Sequence, residues 1–261
     1  MIFAILDLLL VVALFGAMLG AQVWGQRLGE RQRRLALKSE SSEKDSQGAT
    51  ETAVFALLGL FLAFTFQGVG SRFDQRRELI VSEANAIGTA WLRIDILPPQ
   101  RQPELRQLFR QYVDARLDAY RLLNRGERPG PALMRVSSLQ NQIWSATTRA
   151  VAESGEVPPA TLVLPAMNEM FDIASTRVAA ALTHSPWVVY LMIAVLSLVS
   201  SLYVGYGMAG REMRSFIHSI GFAASMCVVL YVIVALEFPR LSFVRLDVAD
   251  RALFEVRASM K

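Results

Sequence analysis

Four stretches of the chain are almost free of charged residues, and each is long enough to cross a membrane. They cover residues 2–24, 53–70, 187–209 and 216–236. A helix of about 20 apolar residues spans the ~30 Å hydrocarbon core of a bilayer. The pattern therefore predicts an all-α, polytopic membrane protein with four transmembrane helices.

The second apolar stretch continues, without an intervening proline, into a charged segment that ends at Pro98. Along this segment, apolar or long side chains recur at spacings of three and four, as on a helix face that packs against another helix. They are Phe73, Arg77, Ile80, Ala84, Ile87, Trp91 and Ile94. We expect the second transmembrane helix to be continuous with the first helix of an extramembrane domain.

Three further amphipathic stretches, residues 103–123, 132–153 and 160–183, are separated by breaks rich in Pro and Gly. They complete a predicted four-helix extramembrane domain over residues 71–186. The remaining predicted segments are the first transmembrane helix (1–25), a basic and then flexible linker (26–52), the second helix (53–70), the third (187–209), a turn (210–215), the fourth (216–237) and a polar tail (238–261).

Small residues recur every four positions in the first and third spans, where they would let helices approach closely. They are Ala13, Ala17 and Ala21, with Gly16 and Gly20 beside them, and Ser197, Ser201, Gly205 and Ala209. For the first span, a chance run of small residues in an apolar helix is the alternative.

Composition and charge narrow the function. The 27 Lys and Arg exceed the 23 Asp and Glu by four, but the basic residues form no stripe interleaved with aromatics, so nucleic acid is not an expected partner. Cys227, the single cysteine, lies in the fourth span and is expected to be buried, with no disulfide. No metal-ligand spacing or phosphate-binding loop is present. We predict no enzyme, no catalytic residue, no metal and no cofactor.

Four spans place both termini and the helical domain on one side of the membrane. With that side outside, the inner loops hold eight Lys and Arg; with that side inside, the near-membrane segments and tail hold nine. Because the positive-inside rule is dominated by the first helix and short loops, it favours an inner (plasma) membrane protein with its domain and termini outside. The opposite orientation stays open.

The region after the second span resembles the signature region of the bestrophin-like domain family of bacterial membrane proteins. Its matching positions are Phe61, Phe64, Arg72-Phe73, Glu83-Ala84-Asn85-Ala86, Arg93, Asp95 and Leu97-Pro98. From the residues alone, a solvated face is the preferred interpretation of Glu83 and Asn85. A second family signature closes the fourth span, and here it reads Glu237-Phe238-Pro239-Arg240. One expected acid is missing and the Arg follows the Pro.

Bestrophins are pentameric anion channels whose second span lines an apolar neck with residues four apart. The resemblance implies a homo-oligomer, small anions as ligands, and Ala56, Leu60 and Phe64 as pore-lining residues on one helix face. It also implies that Arg72, Arg76 and Arg77 lie at one mouth of the pore, and that the extramembrane helices are cytosolic. The alternatives are ordinary packing between helices for Leu60 and Phe64, and membrane anchoring for the arginines.

A second function stays open beside the channel. Spans two to four carry few polar residues beyond Thr65, Gln67 and serines. This sparseness favours a non-conducting sensor or scaffold, whose helical domain binds a ligand or a protein partner and transmits a signal along the long helix.

Overall fold

Helices account for the secondary structure throughout the part of the chain that is described. The structure is a computed structural model that describes residues 2–36, 44–124, 127, 129–155, 157–210, 214–239 and 247–261. Its elements are α1 (Ile2–Ala36), α2 (Lys44–Arg93), a 3-10 turn (Ile94–Ile96), α3 (Gln102–Asn124), α4 (Gly130–Ser154), α5 (Val157–Leu182), α6 (Trp187–Gly207), α7 (Arg214–Glu237) and α8 (Asp247–Ser259). The predicted all-α fold class is confirmed.

Four helical segments are long and apolar enough to cross a membrane, as predicted. They lie within Leu9–Leu35, Gly48–Ile96, Pro159–Gly207 and Ile217–Glu237. The helix α2 runs without interruption for 50 residues, which confirms the predicted continuity of the second span with the first domain helix. It ends in the 3-10 turn just before Pro98, because a proline disfavours helical backbone at the residue before it.

The chain divides into two compact units, the first of which comprises residues 1–71 and 185–238. Within it, α1 and α6 approach so closely that a Cβ atom added to Gly205 would lie 1.9 Å from the carbonyl oxygen of Gln22. A Cβ atom at Gly25 would lie 2.1 Å from the carbonyl oxygen of Leu202. Glycine at these positions therefore allows the two backbones to touch.

This contact corrects the prediction for the first span. On α6, the predicted stripe of Ser197, Ser201 and Gly205 is buried. On α1, however, Ala13 and Ala17 are exposed, and the close approach uses Gly25 and Gly29 instead. Gly25 and Gly29 continue the four-residue spacing of Ala13, Ala17 and Ala21, so α6 packs against a part of α1 that lies beyond the predicted stripe.

The second unit comprises residues 72–184 and 239–261. Its core contains the predicted seam of α2 from Ile80 onward: Ile80, Ala84, Ile87, Trp91 and Ile94 are all buried. They belong to a core with side chains from α3, α4 and α5, such as Phe109, Ile143 and Met167. Arg77 departs from the prediction, because it is exposed.

Two predicted segments differ from the structure. The basic part of the predicted linker is helical, since α1 continues to Ala36, and Nη1 of Arg33 donates a hydrogen bond to the carbonyl oxygen of Ala209. The predicted polar tail contains the helix α8, in which Leu253 is buried in the core of the second unit. The tail therefore contributes to the fold of that unit.

Candidate functional site

The predicted pore-lining residues share the exposed face of α2 within the first unit. Leu60 and Phe64 are 54% and 63% exposed, and Ala56 is exposed as well. On the other side of the helix, Leu58 and Val69 are buried. The helix thus packs against its own chain with one face and presents the predicted neck face outward.

The three arginines proposed for the pore mouth have different environments. Arg76 is buried, and its guanidinium donates hydrogen bonds to the carbonyl oxygens of Ala180 (Nε, 3.1 Å) and Thr183 (Nη2, 2.8 Å) at the end of α5. The last carbonyl groups of an α-helix lack hydrogen-bond partners within the helix, and a cation also suits the negative end of the helix dipole. Arg72 is half-buried, whereas Arg77 is exposed.

Glu83 corrects the expectation of a solvated face. Its side chain is fully buried within the second unit, where Nε of Arg116 donates a hydrogen bond to Oε1 at 2.6 Å. Nη1 of Arg177 and the hydroxyl of Tyr120 donate to Oε2 at 2.7 and 3.0 Å. One carboxylate from α2 therefore joins α3 to α5. Asn85, two residues further on, is exposed, in agreement with the expectation.

Burial and the charge of Glu83 shift the pKa values of Arg116 and Tyr120. Burial would lower the pKa of Arg116, but the charge of Glu83 and its hydrogen bond raise that pKa above the ordinary value for arginine. Burial, and then the Glu83 charge, raise the pKa of the Tyr120 hydroxyl. The guanidinium of Arg177 also lies 3.5 Å from the centre of the Tyr120 ring, a cation–π contact. Arg116 is therefore charged and Tyr120 is neutral at physiological pH.

Arg93 and Asp95, near the end of the first family signature, form hydrogen bonds with neighbouring helices of the second unit. Nη1 of Arg93 donates a hydrogen bond to the carbonyl oxygen of Leu162 in α5 at 2.6 Å. Asp95 accepts a hydrogen bond from Nη2 of Arg106 in α3. Both family-motif positions thus have structural partners.

Glu237 holds the segment before α6 within the first unit. The backbone N–H of Ser185 donates to its Oε1 at 3.0 Å, and the Ser185 hydroxyl donates to its Oε2 at 3.3 Å. The carboxylate is 1% exposed and lies near the positive end of the α6 dipole. Pro239 is buried, and Arg240 lies outside the described residues.

Sequence reasoning missed Arg116, Tyr120 and Arg177 as partners of Glu83. One signal in the sequence could have indicated these partners: an arginine lies next to the apolar face of α3 and of α5. Arg116 follows Ala115, and Arg177 precedes Val178. Charges in such positions are paired when they are buried. Among the described residues, no group of three or more His, Cys, Asp or Glu side chains is placed to hold a metal ion.

Four helical segments that are long and apolar enough to cross a membrane define the chain as a multi-pass membrane protein. A model of the bestrophin-like domain matches residues 10–240. The chain therefore belongs to the bestrophin-like family. No curated protein matches the sequence.

Solved structures with the same fold include a bacterial bestrophin homologue from Klebsiella pneumoniae in two variants. The variant with a tyrosine-to-alanine substitution has a TM-score of 0.66, and the one with an aspartate-to-alanine substitution has 0.69; each alignment covers 93% of this chain and 98% of the other at 13% identity. A membrane protein with a proline-to-alanine substitution has a TM-score of 0.68 at 13% identity, covering 94% and 99%. At 13% identity, these similarities show a shared fold and nothing more.

Proposed function

We propose that several copies of this chain surround an ion-conducting pore, with α2 lining an apolar neck at Ala56, Leu60 and Phe64. The observation that carries the proposal is the outward exposure of this face of α2, opposite the face that packs within the chain. Membership of the bestrophin-like family supports it, because the second span of bestrophins lines the neck of a pentameric channel.

The sizes of the Ala56, Leu60 and Phe64 side chains determine how wide the proposed neck is at each level. Four-residue spacing stacks them on one helix face, one turn apart. The Phe64 ring is the largest of the three, so it forms the narrowest constriction, while Ala56 leaves the widest. A ring of such apolar groups closes a pore by excluding water from it. Phe64 is therefore the proposed gate.

The oligomeric state tests this proposal first. A single α2 helix supplies only one side of a conduit, so conduction along it requires several copies. We expect a homo-pentamer after extraction in mild detergent, measured by native mass spectrometry or light scattering. A monomer or a dimer would contradict a central pore.

A polar groove favours the second function, a sensor whose helical unit binds a ligand. The groove lies between α3 and α4, has a volume of about 620 Å³ and is lined mainly by amides and hydroxyls: Gln107, Gln111, Ser138, Asn141, Gln142 and Ser145. Glu104 and Arg149 also line the groove and form an ion pair, with 3.5 Å between Oε1 of Glu104 and Nη2 of Arg149. Such a lining suits a small polar ligand with donors and acceptors. Saturable ligand binding that Gln111→Ala abolishes, in a protein without conductance, would favour this function over the channel.

We propose the inner membrane as the location, with the helical unit and both termini outside, as the positive-inside rule favours. The family resemblance implies the cytosolic side, so a direct test is needed. A single thiol at the exposed Ser138, introduced as Ser138→Cys in a Cys227→Ser background, reports the side. Labelling of intact cells by an impermeant maleimide supports the outside orientation, and labelling only after permeabilisation contradicts it.

A further inference from the structure

The C-terminal turns of α1 contact the end of α6 with one face of the helix. A Cβ atom added to Gly29 would lie 2.8 Å from the carbonyl oxygen of Tyr206, so the two backbones are close together. The hydroxyl of Tyr206 donates a hydrogen bond to Oε1 of Gln32 at 2.6 Å. Further along, Nη1 of Arg33 donates to the carbonyl oxygen of Ala209. These contacts fix the direction in which the opposite face of α1 points.

The opposite face combines arginines with apolar side chains. At 100° per residue, its positions lie within about 120° of one another and are centred about 150° from the contact with α6. All of them are exposed, and they form what we call the basic face of α1: Trp24, Arg27, Leu28, Arg31, Arg34 and Leu35. The nearest acid, Glu30, lies at the edge of this face and is half-buried. Within the part of the chain that the structure describes, no acid pairs with the three arginines.

The basic face begins where the first span ends. Residues 8–26 carry no charge, and at ~1.5 Å per residue they extend for about 28 Å, close to the ~30 Å hydrocarbon core of a bilayer. Arg27 is the next residue, and Arg31 lies about 6 Å further along the axis. A headgroup layer is about 5–8 Å deep on each side, so both guanidinium groups are at its level. The long side chain of Arg34 can bend back towards the same layer.

We propose that the basic face of α1 binds the headgroups of anionic phospholipids. Guanidinium groups donate paired hydrogen bonds to phosphate oxygens, and basic residues that directly follow a span are attracted to an anionic leaflet. The exposed Trp24 suits the boundary between headgroups and acyl chains. Leu28 and Leu35 lie between the arginines, so the surface is both charged and apolar, as a lipid is. The proposal holds whether or not the protein conducts ions.

The neutralising variant Arg27→Gln/Arg31→Gln/Arg34→Gln tests the proposal in the full-length protein. Native mass spectrometry in mild detergent measures the binding of phosphatidylglycerol and of phosphatidylcholine with the same acyl chains. Each basic residue near an anionic bilayer strengthens binding about fivefold, so the variant should lose at least tenfold in affinity for phosphatidylglycerol. Its affinity for phosphatidylcholine should not change.

The matched control removes three exposed arginines of the second unit and should bind both lipids as the wild type does. It carries Arg121→Gln, Arg135→Gln and Arg251→Gln. If the neutralising variant does not fold, Arg31→Gln alone should weaken phosphatidylglycerol binding by about fivefold.

Salt and the conservative replacement give further readouts. The screening length falls from about 10 Å at 0.1 M salt to about 3 Å at 1 M, so the preference of the wild type for phosphatidylglycerol should weaken at high salt. Lysine at positions 27, 31 and 34 keeps the charge and should keep most of the preference.

Three results would overturn the proposal. The first is equal phosphatidylglycerol binding by the neutralising variant and the control. The second is displacement of the lipid by millimolar glycerol phosphate, which would identify a soluble anion as the ligand. The third is a photo-crosslinking residue at position 35 that joins two copies of the chain, which would show that a second copy covers this face. Crosslinking of that residue to phosphatidylglycerol supports the proposal.

Discussion

The carboxylate of Glu83 on α2 accepts a hydrogen bond from Nη1 of Arg177 on α5 at 2.7 Å, and neither side chain is exposed to solvent by more than 4%. A second arginine, Arg116 on α3, binds the other oxygen of the same carboxylate. One negative and two positive side chains are therefore buried together within the second unit. Removing the single acid leaves both guanidinium groups buried without their counter-charge.

Replacing Glu83 with Gln should destabilise the protein by about 3–5 kcal/mol, because breaking a buried pair leaves uncompensated charge in the interior. The free energy of unfolding in mild detergent measures the effect. Glu169→Gln is the control, since Glu169 is an exposed acid on α5. Equal stability of the two variants would show that the buried cluster contributes little.

Alkaline pH should weaken the second unit through Tyr112. Burial raises the pKa of its hydroxyl to about 12, with a further contribution from the charge of Glu83. A free tyrosine titrates near pH 10, so the folded protein holds this proton more tightly than the unfolded chain. The corresponding stability is complete below about pH 10 and is lost as the pH rises towards 12.

The variant Tyr112→Phe isolates this contribution. Its stability should fall less steeply than that of the wild type between about pH 10 and 12. Denaturant unfolding at a series of pH values, with tyrosinate absorbance followed in parallel, measures the difference. Identical slopes for the two proteins would contradict the assignment.

Gly205 should tolerate no larger side chain. The added methyl group of Gly205→Ala would lie 1.9 Å from the carbonyl oxygen of Gln22, so α1 and α6 must separate. We expect a loss of about 1–3 kcal/mol, the usual cost of overpacking. Gly221→Ala on α7 is the control, because nothing lies within 4 Å of its added Cβ atom. Thermal unfolding in detergent should separate the two variants, and a loss of the same size in both would count against close packing of α1 on α6.

The helix α8 should be held mainly by its apolar side chains. Leu253 is 1% exposed, so Leu253→Ala should cost about 2–5 kcal/mol and make the C-terminal segment sensitive to protease. Arg257 binds both oxygens of Asp114, at 2.7 and 3.0 Å, but at a partly exposed position. Removing that ion pair with Asp114→Asn should cost no more than about 1 kcal/mol. A larger loss of stability for Asp114→Asn than for Leu253→Ala would contradict the prediction that apolar side chains are the main interaction of α8.

Hydropathy and helical periodicity were enough to predict the four spans, the continuity of α2 and the seam from Ile80 to Ile94. These features depend on local spacing, which the sequence displays directly. The partners of Glu83 depend on which faces of α2, α3 and α5 meet, and single-sequence spacing does not specify that. For the same reason, the sequence did not decide which small residues along α1 meet α6.

The C-terminal segment shows a different limit. Its four arginines made the tail look polar, yet Leu253, Val256 and Met260 recur at spacings of three and four and pack into the core of the second unit. This pattern was visible in the sequence. It is short, and the charges around it dominate the composition.

The proposed neck makes a specific demand on conductance. Flux through liposomes that contain Phe64→Ala should exceed that of the wild type, because removing the ring widens and wets the narrowest constriction. Phe66→Ala is the matched control: Phe66 is also an exposed aromatic residue of α2, but two residues turn the helix by about 200° away from Phe64. Increased flux for Phe64→Ala alone is the predicted result. Zero flux in all three proteins, or an equal increase in both variants, would contradict a pore lined by α2.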